Sequence, residues 1–180
     1  MSISISPETK LETPRGMMRL PSRDDFPAIM SASRVPGFND GMTWDPPSSQ
    51  AQLESSLAST MIDWESGVGF AWTLEARNDK AIIGRFGIRV EDRDAHVWSI
   101  GFWIHPTFQS QGYATEGATE LVKFGFQSLG AQKIEAAHAK WNLSSGRVLQ
   151  KIGMKRVGET HEGFLKNGEW VAEYVYEISR

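Results

Sequence analysis

The sequence predicts one α+β fold built on a mixed α/β sheet, mostly antiparallel and twisted, and three stretches carry that expectation. His96, Trp98, Ile100, Phe102 and Ile104 alternate with other residues, the two-residue period of a half-buried strand. Ala114, Ala118, Leu121, Val122, Phe126 and Leu129 then recur at helical spacing, and Lys133 to Ala139 is extended again. Strand, helix and strand in that order imply a parallel pair joined by a crossover. Further on, Asn167-Gly168 lies between two long runs and is a two-residue hairpin signal.

The other elements follow in chain order. Residues 1 to 14 are polar and are expected to form a flexible lead-in to a first strand around Gly16 to Leu20. Ser22 with Asp25 three residues later has the form of a capping box and predicts a helix through about Ser33. Gly37 to Ser49 is a loop rich in Gly, Pro and Asp that contains Trp44-Asp45-Pro46-Pro47. Ser48 or Ser49 caps a second helix with Leu53, Leu57 and Met61 on one face. Phe70 to Leu74 and Ala81 to Val90 read as strands joined at Arg77-Asn78-Asp79, and Glu91 to Asp94 turns into the strand at Val97. Gly130 stops the long helix, Asn142 to Ile152 forms a short one, and Met154–Leu165 pairs with Glu169–Ile178. With 180 residues and no repeat or low-complexity segment, one domain over 1–180 with about four helices accounts for the chain.

Composition excludes several function classes. A net charge of −3 gives no footprint for nucleic acid or a membrane surface. The absence of cysteine removes disulfides, thiolate metal sites and an acyl-cysteine intermediate. The four histidines lack metal-ligand spacing, so no metal is expected. The N-terminus has no apolar leader core and no run is long enough for a membrane span, so the expected location is cytoplasmic.

The stretch from Phe108 to Glu116 joins the alternating strand to the long helix through small and amide residues. At such a helix start the first N–H groups have no internal partner and the macrodipole is positive. Gly112 lets an anion approach the backbone and Ala114 keeps the first turn narrow, so a pyrophosphate would fit; an ordinary turn has the same outline. No Gly-Lys-Ser/Thr follows the glycine and no three-glycine fingerprint is present, which disfavours nucleotide and dinucleotide loops.

The pattern Gln109-x-x-Gly112-x-Ala114 resembles the acyl-CoA pyrophosphate loop of the GNAT N-acetyltransferase superfamily. Asn142-x-x-Ser145-x-x-Val148-Leu149-x-Lys151-x-Gly153-Met154 resembles the second signature of that superfamily, in its ribosomal-protein N-terminal (Rim-type) branch. Gly112-Tyr113-Ala114-Thr115-Glu116, Trp44-Asp45-Pro46-Pro47 and Gly168-Glu169-Trp170 are also similar to that branch. The resemblance implies a GNAT-like sheet whose central parallel pair splays at an acetyl-CoA site. It implies acetyl-CoA contacts from Trp103, Ile104, His105, Gln109, Ser110, Gln111, Gly112, Tyr113, Ala114, Thr115, Asn142 and Lys151. Asn142 is equally a preferred helix cap, and Lys151 equally a cation at a helix C-terminus.

The implied activity is acetyl transfer from acetyl-CoA to a primary amine, either a protein or peptide α-amine or a small amine. Without cysteine, direct attack in a ternary complex is the expected route. Many relatives carry a glutamate before Gly-Tyr/Phe-Trp where this chain has Ser99, and the position often held by tyrosine is Leu149. Ser145 is therefore the candidate acid toward the leaving sulfur, and His138 the candidate base; His105 is an alternative, and each histidine also has a reading as a structural residue. The missing glutamate and tyrosine also admit an acyl-CoA-binding sensor without turnover. Relatives in this superfamily often form homodimers, so a homodimer is a further expectation of the resemblance.

Overall fold

A computed structural model describes residues 3 to 180; residues 1 and 2 of the polar opening lie outside the described residues. The chain runs β1 (Leu11–Glu12), β2 (Gly16–Arg19), α1 (Phe26–Ser33), α2 (Gln50–Ser66), β3 (Gly69–Ala76), β4 (Ile82–Asp92) and β5 (Val97–Ile104). It continues through α3 (Tyr113–Gln127), β6 (Lys133–Ala139), α4 (Leu143–Lys151), β7 (Lys155–Lys166) and β8 (Glu169–Ser179). The eight strands form one sheet in the order β1-β2-β3-β4-β5-β6-β8-β7. Every neighbouring pair is antiparallel except β5 and β6.

The parallel pair is the feature that positions the site. Its ladder joins Val97 to Lys133, Trp98 to Ile134 and Ser99 to Glu135, then stops. Beyond it, β5 stays with β4 as far as Ile104 opposite Gly84, and β6 stays with β8 as far as Ala139 opposite Glu173. Each strand keeps its antiparallel partner while the two part from one another, so a gap opens in the middle of the sheet.

Local chemistry explains the elements around it. Ser49 accepts from the Gln52 N–H and starts α2, and Gly67 in the left-handed region ends it. The Ser22 N–H donates to Asp25 Oδ2 at 3.0 Å, and the first turn it begins is a 3-10 turn that runs into α1. Asn167 and Gly168 both take positive φ, as a two-residue hairpin demands. The main core packs Phe70, Trp72, Phe86, Trp98 and Ile134 against Leu121 of α3 and Leu149 of α4. Gly117 of α3 lies against the Phe86 ring so closely that a Cβ would collide, which seats the helix directly on the sheet. A smaller cluster joins Phe26 and Ile29 of α1 to Leu53 of α2, with Trp44 and Trp103 packed on it.

The opening expected to be a flexible lead-in is tied down instead. Two buried indole N–H groups find acceptors there: Trp64 Nε1 donates to the Ile5 carbonyl at 2.8 Å and Trp72 Nε1 to the Thr9 carbonyl at 3.0 Å. Leu11 and Glu12 then pair with Met18 and Met17.

Candidate active site

The gap presents backbone hydrogen-bonding groups to the cleft. The His105 N–H donates to the Ile83 carbonyl at 2.8 Å, which sets the phase of the β4–β5 ladder. Trp103 and Gly101 accordingly turn their backbone groups toward β4, and Phe102 and Ile104 turn theirs into the gap. On the opposite bank the Lys140 N–H donates to the Ala172 carbonyl at 2.9 Å, so His138 and Ala136 face β8 while Ala137 and Ala139 face the gap. The Ile104 carbonyl is capped by Gln109 Nε2 at 3.1 Å and the Ala139 carbonyl by the Asn142 N–H at 2.8 Å. The backbone groups of Trp103 and the His105 N–H are engaged with β4; of the three expected residues Ile104 offers its N–H to the gap, and Phe102 joins it.

The loop ahead of α3 has the expected cradle shape. Gly112 sits at φ +90° as the N-cap of α3, Ser110 also takes a positive φ, and the first helical bond runs from the Glu116 N–H to the Gly112 carbonyl. The N–H groups of Tyr113, Ala114 and Thr115 are thus left without intrahelical acceptors. The two glutamines brace the loop: Gln109 holds β5, and Gln111 Nε2 donates to the Thr107 carbonyl at 2.9 Å. Arg15, between β1 and β2, supports it from beneath. Its Nη2 donates to the Gln111 carbonyl at 2.6 Å, its Nε to Glu116 Oε1 at 2.7 Å, and its guanidinium stacks 3.9 Å from the Tyr113 ring centre. Nothing local in the sequence marks Arg15, because its partners lie about a hundred residues downstream.

On α4, Asn142 Oδ1 accepts from the Ser145 N–H at 3.3 Å, and Ser145 and Lys151 both border the cleft. Leu149, where a tyrosine was expected in relatives, is buried in the main core. His138 lies between the rings of Tyr174 and Tyr176, with Nδ1 2.8 Å from the Ala139 carbonyl. Its Nε2 has no partner among the described residues and faces Gly146 so closely that a Cβ there would stand 2.7 Å away. The imidazole is packed beneath the α4 backbone and also borders the cleft. His105 is likewise engaged: Nδ1 accepts from the Thr107 N–H at 3.2 Å, so Nε2 carries the proton toward Ser31 Oγ at 2.9 Å. Burial lowers the His105 pKa, which keeps that neutral tautomer.

Beyond the gap lies a second wall. Phe38, Trp44 and Trp103 meet with ring centres 5.7 to 6.4 Å apart. Lys166 Nζ binds the Trp44 carbonyl at 2.8 Å and Asp45 Oδ1 at 2.7 Å, clamping the β7–β8 hairpin to the loop between α1 and α2. Trp170 stands exposed on the hairpin. Ser99 donates its hydroxyl to Glu91 Oε1, so a carboxylate from β4 stands beside the position where relatives carry one on β5. Glu173 is the residue the sequence concealed. It lies on β8 opposite Ala139, borders the cleft, and has no hydrogen-bond or ion-pair partner among the described residues; burial raises its pKa above the ordinary carboxylate value. Gly163 on β7 is what makes room for it, since a Cβ there would overlap the carboxylate. Phe38, Trp44, Glu91, Trp103, Ser145 and Glu173 border one open cleft of about 1740 Å³, larger than an ordinary small-ligand pocket and sufficient for two substrates. Among the described residues no group of three or more potential metal ligands is found, and no helix is long and apolar enough to cross a membrane.

Comparison with known proteins agrees with this geometry. Residues 15–155 match the family model for the acetyltransferase (GNAT) domain. The chain is 28% identical over 174 residues, 93% of its length and 95% of the relative, to YoaA, an uncharacterised N-acetyltransferase of Bacillus subtilis. It is 37% identical over 83 residues to YnaD of the same organism, a match that spans 46% of this chain and only 49% of that relative. The microcin C7 self-immunity acetyltransferase MccE, solved with acetyl-CoA and AMP, shares the fold with a TM-score of 0.85 at 16% identity, covering 99% of both chains. Ribosomal-protein acetyltransferases are among the other solved structures of the same fold.

Proposed function

The chain belongs to the GNAT acetyltransferase family, and from that premise we propose that it transfers the acetyl group of acetyl-CoA to a primary amine by direct attack in a ternary complex. The observation that carries the proposal is the gap between β5 and β6, lined by backbone groups without a strand partner and continuous with the open helix start at Gly112. Amides of a pantetheine arm are matched by Phe102, Ile104, Ala137 and Ala139, and a pyrophosphate by the N–H groups of Tyr113 to Thr115. Acetyl-CoA supplies the activated acyl group.

The remaining chemistry falls to side chains of this protein. Glu173, unpartnered among the described residues and raised by burial, is suited to take a proton from the acceptor nitrogen as the neutral amine attacks, directly or through water. Ser145, which borders the cleft, is the proposed donor of a proton toward the departing sulfur. The Phe38, Trp44 and Trp103 wall, with the hairpin clamped by Lys166, forms the acceptor side; a protein or peptide α-amine in the manner of the Rim branch, or a small amine, would enter there. Glu91 and Glu173 weaken one of the two grounds for a sensor without turnover, the missing carboxylate; the other, Leu149 at the tyrosine position, stands.

Thermal-shift titration with acetyl-CoA, CoA, ATP and NAD, followed by thiol release with an amine panel, tests the proposal. A ligand held at 100 times its dissociation constant adds about 2.7 kcal/mol of stability. Stabilisation by acetyl-CoA and CoA, with thiol released by at least one amine, is the expected result. Binding without release by any amine favours the sensor, and no binding contradicts both.

A further inference from the structure

Arg85 on β4 is a mostly buried cation whose ion-pair contact among the described residues, Asp25 at 4.0 Å, is long and shared. It stands between Thr73 of β3 and Trp103 of β5 in the sheet register, and its side chain keeps only 19% of its surface exposed, on the wall of the cleft. Its guanidinium makes no hydrogen bond among the described residues, and Nε is fully buried. The nearest carboxylate, Asp25, is 4.0 Å away and already engaged by Arg19 Nη2 at 2.7 Å, by the Ser22 N–H at 3.0 Å and by the Thr73 hydroxyl. Arg19 also binds Glu75, which Lys80 shares, so three cations divide two carboxylates in this cluster. Burial lowers the Arg85 pKa, opposed by Asp25 and reinforced by Arg19. A buried guanidinium left without acceptors is costly, and its five donors form a planar fork suited to a carboxylate.

We propose that Arg85 is the docking point for a carboxylate of the acceptor, so that the amine acetylated here belongs to a molecule carrying an anionic group several bonds away. The proposal rests on the acetyltransferase reading and names the acceptor class within it. The strand of Trp103 stands between Arg85 and the gap, so at ordinary strand spacing the Arg85 backbone lies roughly 10 Å from the far bank, and a carboxylate held by Arg85 is several bonds from an amine that reaches the gap. An α-carboxylate is too close to its own amine to reach. A peptide with a free N-terminus and an acidic side chain within its first few residues has the right span, as does a linear ω-amino acid. Trp103, with Phe38 beside it, offers an apolar surface for the connecting atoms.

The test compares Ala-Ala-Glu-amide with Ala-Ala-Gln-amide, and 6-aminohexanoate with hexylamine, in the wild type and in R85M and R85K. The wild type is expected to favour the acidic member of at least one pair by about tenfold or more in kcat/KM, the usual range for a charge-assisted hydrogen bond. R85M should bring that ratio toward one, and R85K should restore part of it. Preference confined to the peptide pair assigns a peptide acceptor, and preference confined to the other pair a small one. Equal rates in both pairs for the wild type, or an acid preference that survives R85M, overturns the proposal.

Thermal stabilisation by the acetylated acidic products, present in the wild type and lost in R85M, reads the same contact without turnover. Failure of transfer with that stabilisation intact would therefore count against the acetyltransferase reading and not against the anion site. R85M should melt at or above the wild-type temperature; a lower melting temperature with no change in product binding would make Arg85 a packing residue.

Discussion

The two sides of the cleft are built from different materials. The donor side is backbone: the parted strands β5 and β6, the open first turn of α3 and the capped start of α4. The side proposed for the acceptor is side chains drawn from distant segments, with Phe38 and Trp44 from a loop, Arg85 and Glu91 from β4, Trp103 from β5, and Lys166 and Glu173 from the hairpin arms. Backbone recognition constrains where glycine, small residues and caps must fall, so it leaves a spacing in the sequence. Side-chain recognition constrains only what meets in space, and it can be rebuilt for a new acceptor without disturbing the donor half.

Substitutions should separate the two sides cleanly. The largest effect is expected at Glu173, where E173Q should lower kcat/KM by about 100-fold, the lower end for loss of a general base, with acetyl-CoA affinity unchanged. Wild-type kcat/KM should rise with pH through a pKa above the ordinary glutamate range, and E173Q should lose that limb. The sign for stability is opposite to that for activity. A carboxyl whose folded pKa is raised contributes stability below its unfolded pKa, and the contribution is lost as pH rises through the folded pKa. At neutral pH E173Q should therefore melt higher than the wild type, as differential scanning calorimetry would record.

A complementary break lies on the donor side. R15M removes the brace under Gln111 and Tyr113 and should weaken acetyl-CoA binding by about tenfold in calorimetric titration, while the KM of the amine stays within about twofold. K166M unclamps the hairpin from the loop at Trp44 and should raise the amine KM by about threefold to tenfold with no change in acetyl-CoA affinity. The smallest effect is expected for H138Q, which should leave the shape of the pH–rate profile intact; loss of a limb would return His138 to the proton pathway.

The same contrast explains what was legible in the sequence. The parallel crossover from Val97 to Ala139, the Asn167-Gly168 turn and the Asn142 cap each follow from local periodicity or φ preference, and each is present. Gln109 to Thr115 was legible as a loop, but the roles of the glutamines were not, since whether an amide faces a ligand or its own strand depends on tertiary contacts. Trp103 lies at the end of β5 and His105 just beyond it, yet strand phase turns the Trp103 backbone groups and the His105 N–H toward β4, and one hydrogen bond to Ile83 decides it. The lead-in was misjudged because nothing in residues 3 to 14 shows that Trp64 and Trp72 need acceptors. Arg15, Arg85 and Glu173 carried no signal at all: each is an ordinary charged residue whose partners, or lack of them, are set by segments far away in the chain.

Amide hydrogen exchange with and without acetyl-CoA addresses the central claim, that the donor is held by the gap between β5 and β6. The N–H groups of Phe102, Ile104 and Ala139 should exchange readily in the free protein and become protected on addition of acetyl-CoA, while those of Trp103 and His105 should be slow in both states. Protection that appears elsewhere, with Phe102, Ile104 and Ala139 unchanged at saturating acetyl-CoA, would contradict it.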